Sequence, residues 1–104
     1  MLENKDYCDY DTSIALYELG YDCQVIHLIA EKITLYEAQK WLREEKGLFV
    51  EVVMSYGKYD FDICSTKLEQ NMTHKILCEI WGFKTYEEAL SEGVRAAVKI
   101  LKEK

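Results

Sequence analysis

Residues 34–48, TLYEAQKWLREEKGL, constrain the fold more than any other stretch, because both ends of a helix and its buried face are written in them. Thr34 followed by Glu37 is the capping-box spacing. The threonine oxygen accepts from the N–H at Glu37, and the glutamate reaches back toward the N–H of Thr34. Glu37 also places negative charge at the positive end of the helix dipole. Leu35, Ala38, Trp41 and Leu42 recur at three- and four-residue spacing and form one apolar stripe. Gly47 is a left-handed stop, after which Leu48 can fold back on Leu42. A helix with a single apolar stripe must bury it against another layer.

The rest of the chain supplies that layer. Residues 49–66 read as a hairpin in which Gly57-Lys58 is a two-residue turn with glycine first. Pairing outward from it sets Tyr56 opposite Tyr59, Met54 opposite Phe61, Val52 opposite Ile63 and Val50 opposite Ser65, which makes one face almost wholly apolar. The other face carries Ser55, Asp60, Val53, Asp62, Glu51 and Cys64 and is expected to meet solvent. Residues 25–30 (VIHLIA) are a short, branched apolar run that reads as a buried strand, and residues 76–83 (ILCEIWGF) read as a strand beside the hairpin, with Trp81-Gly82-Phe83 alternatively a turn that packs the last helix. Residues 67–75 are polar and non-periodic, hence a loop.

Two more helices complete the layout. The first has Asp11 or Thr12 as its cap, buries Ile14, Ala15, Leu16 and Leu19, stops at Gly20 and has Tyr21 packing back on it. The last opens with a second capping box, Thr85 to Glu88, and lines Tyr86, Ala89, Leu90, Val94, Ala97, Val98 and Leu101 along one face. Gly93 lies near that stripe and allows close approach to a sheet or to a neighbouring helix. The order α-β-α-β-β-β-α gives one α+β domain over residues 1–104, a two-layer sandwich with the helices on one face of a small mixed sheet. Residues 1–10 are expected as a loosely ordered acidic lead-in.

Charge narrows the function. The 104 residues hold 19 acidic and 13 basic side chains, a net charge of −6. Phosphate binding rests on clustered Lys and Arg, so this balance disfavours nucleic acid. No run approaches the roughly 20 apolar residues of a membrane span, and the acidic N-terminus is unlike a secretory signal, so a cytoplasmic location is expected. Asp6, Asp9 and Asp11 lie close together but lack the glycine and closing glutamate of a calcium loop. Cys8, Cys23, Cys64 and Cys78 include no C-x-x-C, and His27 and His74 stand apart. The cysteines read as reduced, small hydrophobes, and no metal or cofactor is expected.

The elements ALYELGYD (residues 15–22), WLREEKG (41–47) and YEEALSEGV (86–94) carry a resemblance. They are similar to the A-x-x-x-L-G-[FY]-D, W-L-R-E-x-x-G and Y-E-E-A-x-x-x-G-[IV] elements of a group of small proteins found in gut-anaerobe genomes and in the phages and prophages those genomes carry. These motifs are structural, so the resemblance implies a phage-related accessory role and carries over no catalytic residue.

Three function classes follow. A non-enzymatic interaction module fits the surplus of aromatics, with Tyr7, Tyr10 and Trp81 as interface candidates and an unspecified protein or a second copy as partner. A winged-helix-like nucleic-acid binder would use Gln39, Lys40, Arg43 and Lys46 on a reading helix. A small cysteine-dependent enzyme would rest on Cys64 with His74, the one nucleophile–base pair the hairpin and its following loop bring near each other. The first is favoured, since no nucleophile elbow, phosphate loop or paired metal motif is present.

Overall fold

The computed structural model of the protein describes residues 2–21, 33–68, 70 and 73–103. A 3-10 turn at Asn4–Asp6 is followed by α1 (Tyr10–Glu18), α2 (Leu35–Lys46), β1 (Leu48–Ser55), β2 (Lys58–Leu68), β3 (His74–Phe83) and α3 (Tyr86–Lys102). The strands form one antiparallel sheet in the order β1-β2-β3. The helices form a second layer, so the α+β sandwich is as the sequence predicts. The sheet expected to be mixed is antiparallel throughout among the described residues, because consecutive strands joined by short connections pair antiparallel. The strand expected at residues 25–30, with His27, lies outside the described residues.

Helix ends follow side-chain chemistry. Thr34 Oγ1 accepts from the Glu37 N–H at 3.0 Å, and Gly47 closes α2 in the left-handed region at φ 68°. The Glu37 carboxylate takes the hydroxyls of Thr34 (2.8 Å) and Tyr21 (3.2 Å), where the capping-box pattern would have it on the Thr34 N–H. Thr85 caps α3 through the Glu88 N–H. The start of α1 corrects the sequence reading: Asp9, not Asp11 or Thr12, is the cap, and it accepts from the Thr12 N–H at 2.7 Å. Aspartate one turn earlier outcompetes because its carboxylate reaches the third N–H, the orphan donor of a helix start.

The hairpin also differs from expectation. The turn is Tyr56-Gly57, with φ of 52° and 77°, so both central residues are left-handed. That is the primed turn whose twist matches the flanking strands. Every pair therefore moves by two positions: Met54 faces Tyr59, Val52 faces Phe61 and Val50 faces Ile63. A shift of two leaves each side chain on its own face, so the apolar and polar faces stand as read. Both strands that flank the expected loop are longer than predicted, β2 running to Leu68 and β3 beginning at His74.

The core lies between the layers. Leu35, Ala38 and Leu42 of α2, and Ala89, Leu90, Val94, Ala97 and Val98 of α3, are buried against Leu48, Val50, Phe61 and Ile63. Trp41 is only half-buried, with Tyr21 edge-on at 5.5 Å and the Lys46 ammonium over its ring. The acidic lead-in expected to be loose makes specific contacts. Cys8 is buried and its N–H donates to Ile33 O, Tyr7 bridges Thr34, and the Tyr36 hydroxyl donates to Asp6 at 2.7 Å.

Candidate interaction face

Cross-strand pairing sorts the sheet residues by face. Val50, Ile63 and Cys78 share one rung, and Val52, Phe61 and Ile80 another, both toward the helices. Glu51, Asp62 and Glu79 share the rung between them, so three carboxylates line up across three strands on the opposite, outer face. Asp60, opposite Val53, adds a fourth. Among the described residues none of these four is ion-paired with Lys or Arg, and no element covers the outer face. Repulsion is felt within the rung: burial first, then the Asp62 charge, raises the Glu51 carboxyl above its ordinary range.

A bulge aims Trp81 at the same face. Tyr59 pairs Phe83 and Phe61 pairs Ile80, so Trp81 and Gly82 together oppose Asp60. The Trp81 Nε1–H donates to Glu79 at 2.7 Å, and the Gly82 N–H donates to Asp60 at 3.1 Å. The ring is therefore tied to Glu79 while 71% exposed, and the backbone beside it is tied to Asp60. Tyr56, Lys58, Asp60, Glu79 and Trp81 line an open cleft of about 560 Å³.

The two sheet edges are unlike. Beside β1, Gln39 Nε2 donates to Val50 O at 2.6 Å and the Arg43 guanidinium lies over the Phe49 ring, so α2 shields that edge. β3 is the other edge, and Ile76 (56%), Leu77 (38%) and Ile80 (46%) are exposed along it. α3 packs chiefly over β1 and β2, which leaves a groove of about 680 Å³ between it and β3, floored by Leu77, Ile80 and Ile100.

The sequence-derived candidates do not form one site. Trp81 faces away from the helices, whereas Tyr10 is exposed at the start of α1 in the helical layer and Tyr7 is half-buried beside Thr34. Three of the four residues offered as a reading helix make contacts within the fold, Gln39 with β1, Arg43 with Phe49 and Lys46 with Trp41, while Lys40 is exposed. Cys64 and His74 do line one cleft of about 380 Å³ with Glu51. The Cys64 thiol, however, donates to Asp62 at 3.2 Å, and burial with that negative neighbour pushes it up to about 11, while His74 Nδ1 is engaged with Ser65 O at 2.9 Å. A nucleophilic cysteine needs the opposite surroundings. Asp6 and Asp9, weighed as parts of a cation site, are occupied by Tyr36 and by the α1 cap.

Sequence reasoning placed Asp60, Asp62 and Glu51 on the outer face but missed Glu79, because the register of β3 is not written locally. It also missed the exposed edge, since an apolar run reads the same whether a neighbour covers it or not. Among the described residues no helix is long and apolar enough to cross a membrane. Compared with protein-family models, curated proteins and solved structures, the chain matches none.

Proposed function

We propose that the protein is a non-enzymatic interaction module that engages a protein partner through the outer face of the sheet and the β3 edge. The observation that carries this reading is Trp81, 71% exposed yet fixed by Glu79 on a strand whose neighbours Ile76, Leu77 and Ile80 are also exposed. Large exposed aromatics held rigid lose little entropy on binding and recur at the centres of interfaces. Among the described residues no strand pairs with the outer edge of β3, and such an edge offers strand addition as the docking mode. The resemblance of the WLREEKG and YEEALSEGV elements to phage and prophage proteins supports an accessory role in that setting, within the cytoplasm.

A photo-reactive residue at position 81, introduced into cells that express the protein, tests this. It is expected to crosslink a discrete protein, whereas the same residue at the exposed Glu45 position of α2 is not. Equal crosslinking from both positions, or none from 81, would overturn the proposal.

A further inference from the structure

The outer face also says what kind of partner fits it. We infer that β3 takes an extended segment of a partner protein in which basic and apolar side chains alternate. This deepens the module reading and rests on it.

From Cys78 to Ile80 the pairing is regular, so side chains alternate: Cys78 and Ile80 toward the helical side and Glu79 outward, with Trp81, at the bulge, bonded to Glu79 on the outer side. A segment added along the β3 edge alternates in the same way, because a strand has a side-chain period of two. Its outward side chains stand beside Glu79 and Trp81, in front of the rung completed by Asp62 and Glu51. Among the described residues, four carboxylates without an ion pair share that face with Lys58 at its turn end and with Arg43, which lies over Phe49 beside Glu51. A guanidinium or ammonium there finds carboxylate oxygens and an aromatic surface together, the two favourable surroundings for a desolvated cation. The Nε1–H bond to Glu79 and the N–H bond to Asp60 hold both carboxylates in place beforehand.

The inward side chains meet different chemistry. They stand beside Ile80 over the groove between β3 and α3, whose floor of Leu77, Ile80 and Ile100 takes apolar groups. Its rim mixes Glu92, Arg95, Lys99 and Glu103 and so sets no sign of charge. A second copy of this chain is a poorer occupant. Pairing β3 with itself brings two acidic outer faces side by side, and juxtaposed like charges are unfavourable.

The test uses a fluorescently labelled peptide about ten residues long, the reach of a long strand, alternating arginine and valine. Its binding to the full chain is followed by anisotropy, with light scattering alongside. Saturable binding is expected, weakened about threefold to tenfold by Glu79→Gln or Asp62→Asn and by roughly tenfold by Trp81→Ala, and weakened by salt. These side chains lie on the surface, and circular dichroism of each variant confirms an unchanged fold. Equal binding of a peptide with the same residues in two blocks would overturn the inference, as would no binding. A stable dimer that Trp81→Ala dissolves would also overturn it, with a second copy as the occupant. If position 81 crosslinks a partner whose contact segment is not basic, the inference falls while the module reading stands. If position 81 crosslinks nothing, both fall.

Discussion

Gly93 is where α3 comes closest to the sheet, and Gly93→Ala puts that closeness to the test. A Cβ built there would stand 2.5 Å from Val50 Cγ1 and 3.2 Å and 3.3 Å from the Phe61 ring carbons. Carbon atoms pack at roughly 3.5–4.0 Å, so the layers would have to part by about 1 Å. Neither neighbour can yield cheaply. Val50 and Phe61 are buried, and a β-branched valine has few rotamers to turn into. Overpacking of this kind costs about 1–3 kcal/mol, against a gain of about 1 kcal/mol from replacing a helical glycine by alanine. The net expectation is a loss of up to about 2 kcal/mol, read as a lower urea midpoint at unchanged slope. Val50→Ala alone should cost about 1.5–3 kcal/mol through lost burial and a cavity. It also removes the colliding methyl, so Gly93→Ala in that background should be nearly neutral or stabilising, and the double-mutant cycle should show coupling of about 1–2 kcal/mol. Stabilisation by Gly93→Ala in the wild type would refute the close approach. So would costs that add to within about 0.5 kcal/mol.

Other outcomes follow from the same contacts. Trp41→Ala should cost about 2–3 kcal/mol by chemical denaturation, below the range of roughly 3–5 kcal/mol for a fully buried ring, and a loss near zero would mean that the ring packs on nothing. The folded-state pKa of Glu51 lies above its ordinary 4.5, so the fold holds that proton more tightly than the unfolded chain. Stability is therefore lost as pH rises through the window just above that value, and Glu51→Gln should flatten this part of a urea-midpoint profile; identical profiles would show that the rung carries no repulsion. Burial pushes the Cys8 thiol up to about 12 and, with Asp62, the Cys64 thiol up to about 11. Both should react slowly with a thiol reagent near neutral pH, and Asp62→Asn should speed Cys64 alone; fast labelling of the native protein at Cys64 would contradict that environment.

The legible features are those fixed by chemistry within a few residues. Thr34, Gly47 and Thr85 end helices because the orphan N–H and C=O groups of a helix must be met locally, by a hydroxyl or by a residue free to turn left-handed. The apolar stripes of α2 and α3 were readable because the helical repeat is fixed, and the hairpin faces because the strand repeat is two. That period also explains how the faces could be right while the turn and every pair were misplaced: a two-residue shift costs nothing in patterning, and twist decides in favour of Tyr56-Gly57.

The candidate face was less legible. Trp81 could be picked out as an aromatic in an extended run, but the bulge opposite Asp60 and the bond from its ring to Glu79 depend on how β3 registers against β2. The lead-in shows the same limit. Asp6 and Cys8 look like parts of a polar tail until Tyr36 and Ile33, distant in sequence, meet them.

The sequence by itself determined α2, α3 and the hairpin, the caps of the two long helices and which side of each element is apolar, since these follow from local hydrogen bonding and fixed repeats. Only the tertiary structure decided that Glu51, Asp62 and Glu79 share one rung, that α2 shields one edge of the sheet, and that the other edge is left to Ile76, Ile80 and Trp81. Those relations hold between residues far apart in the chain, and they are set by register and by where the helices come to rest.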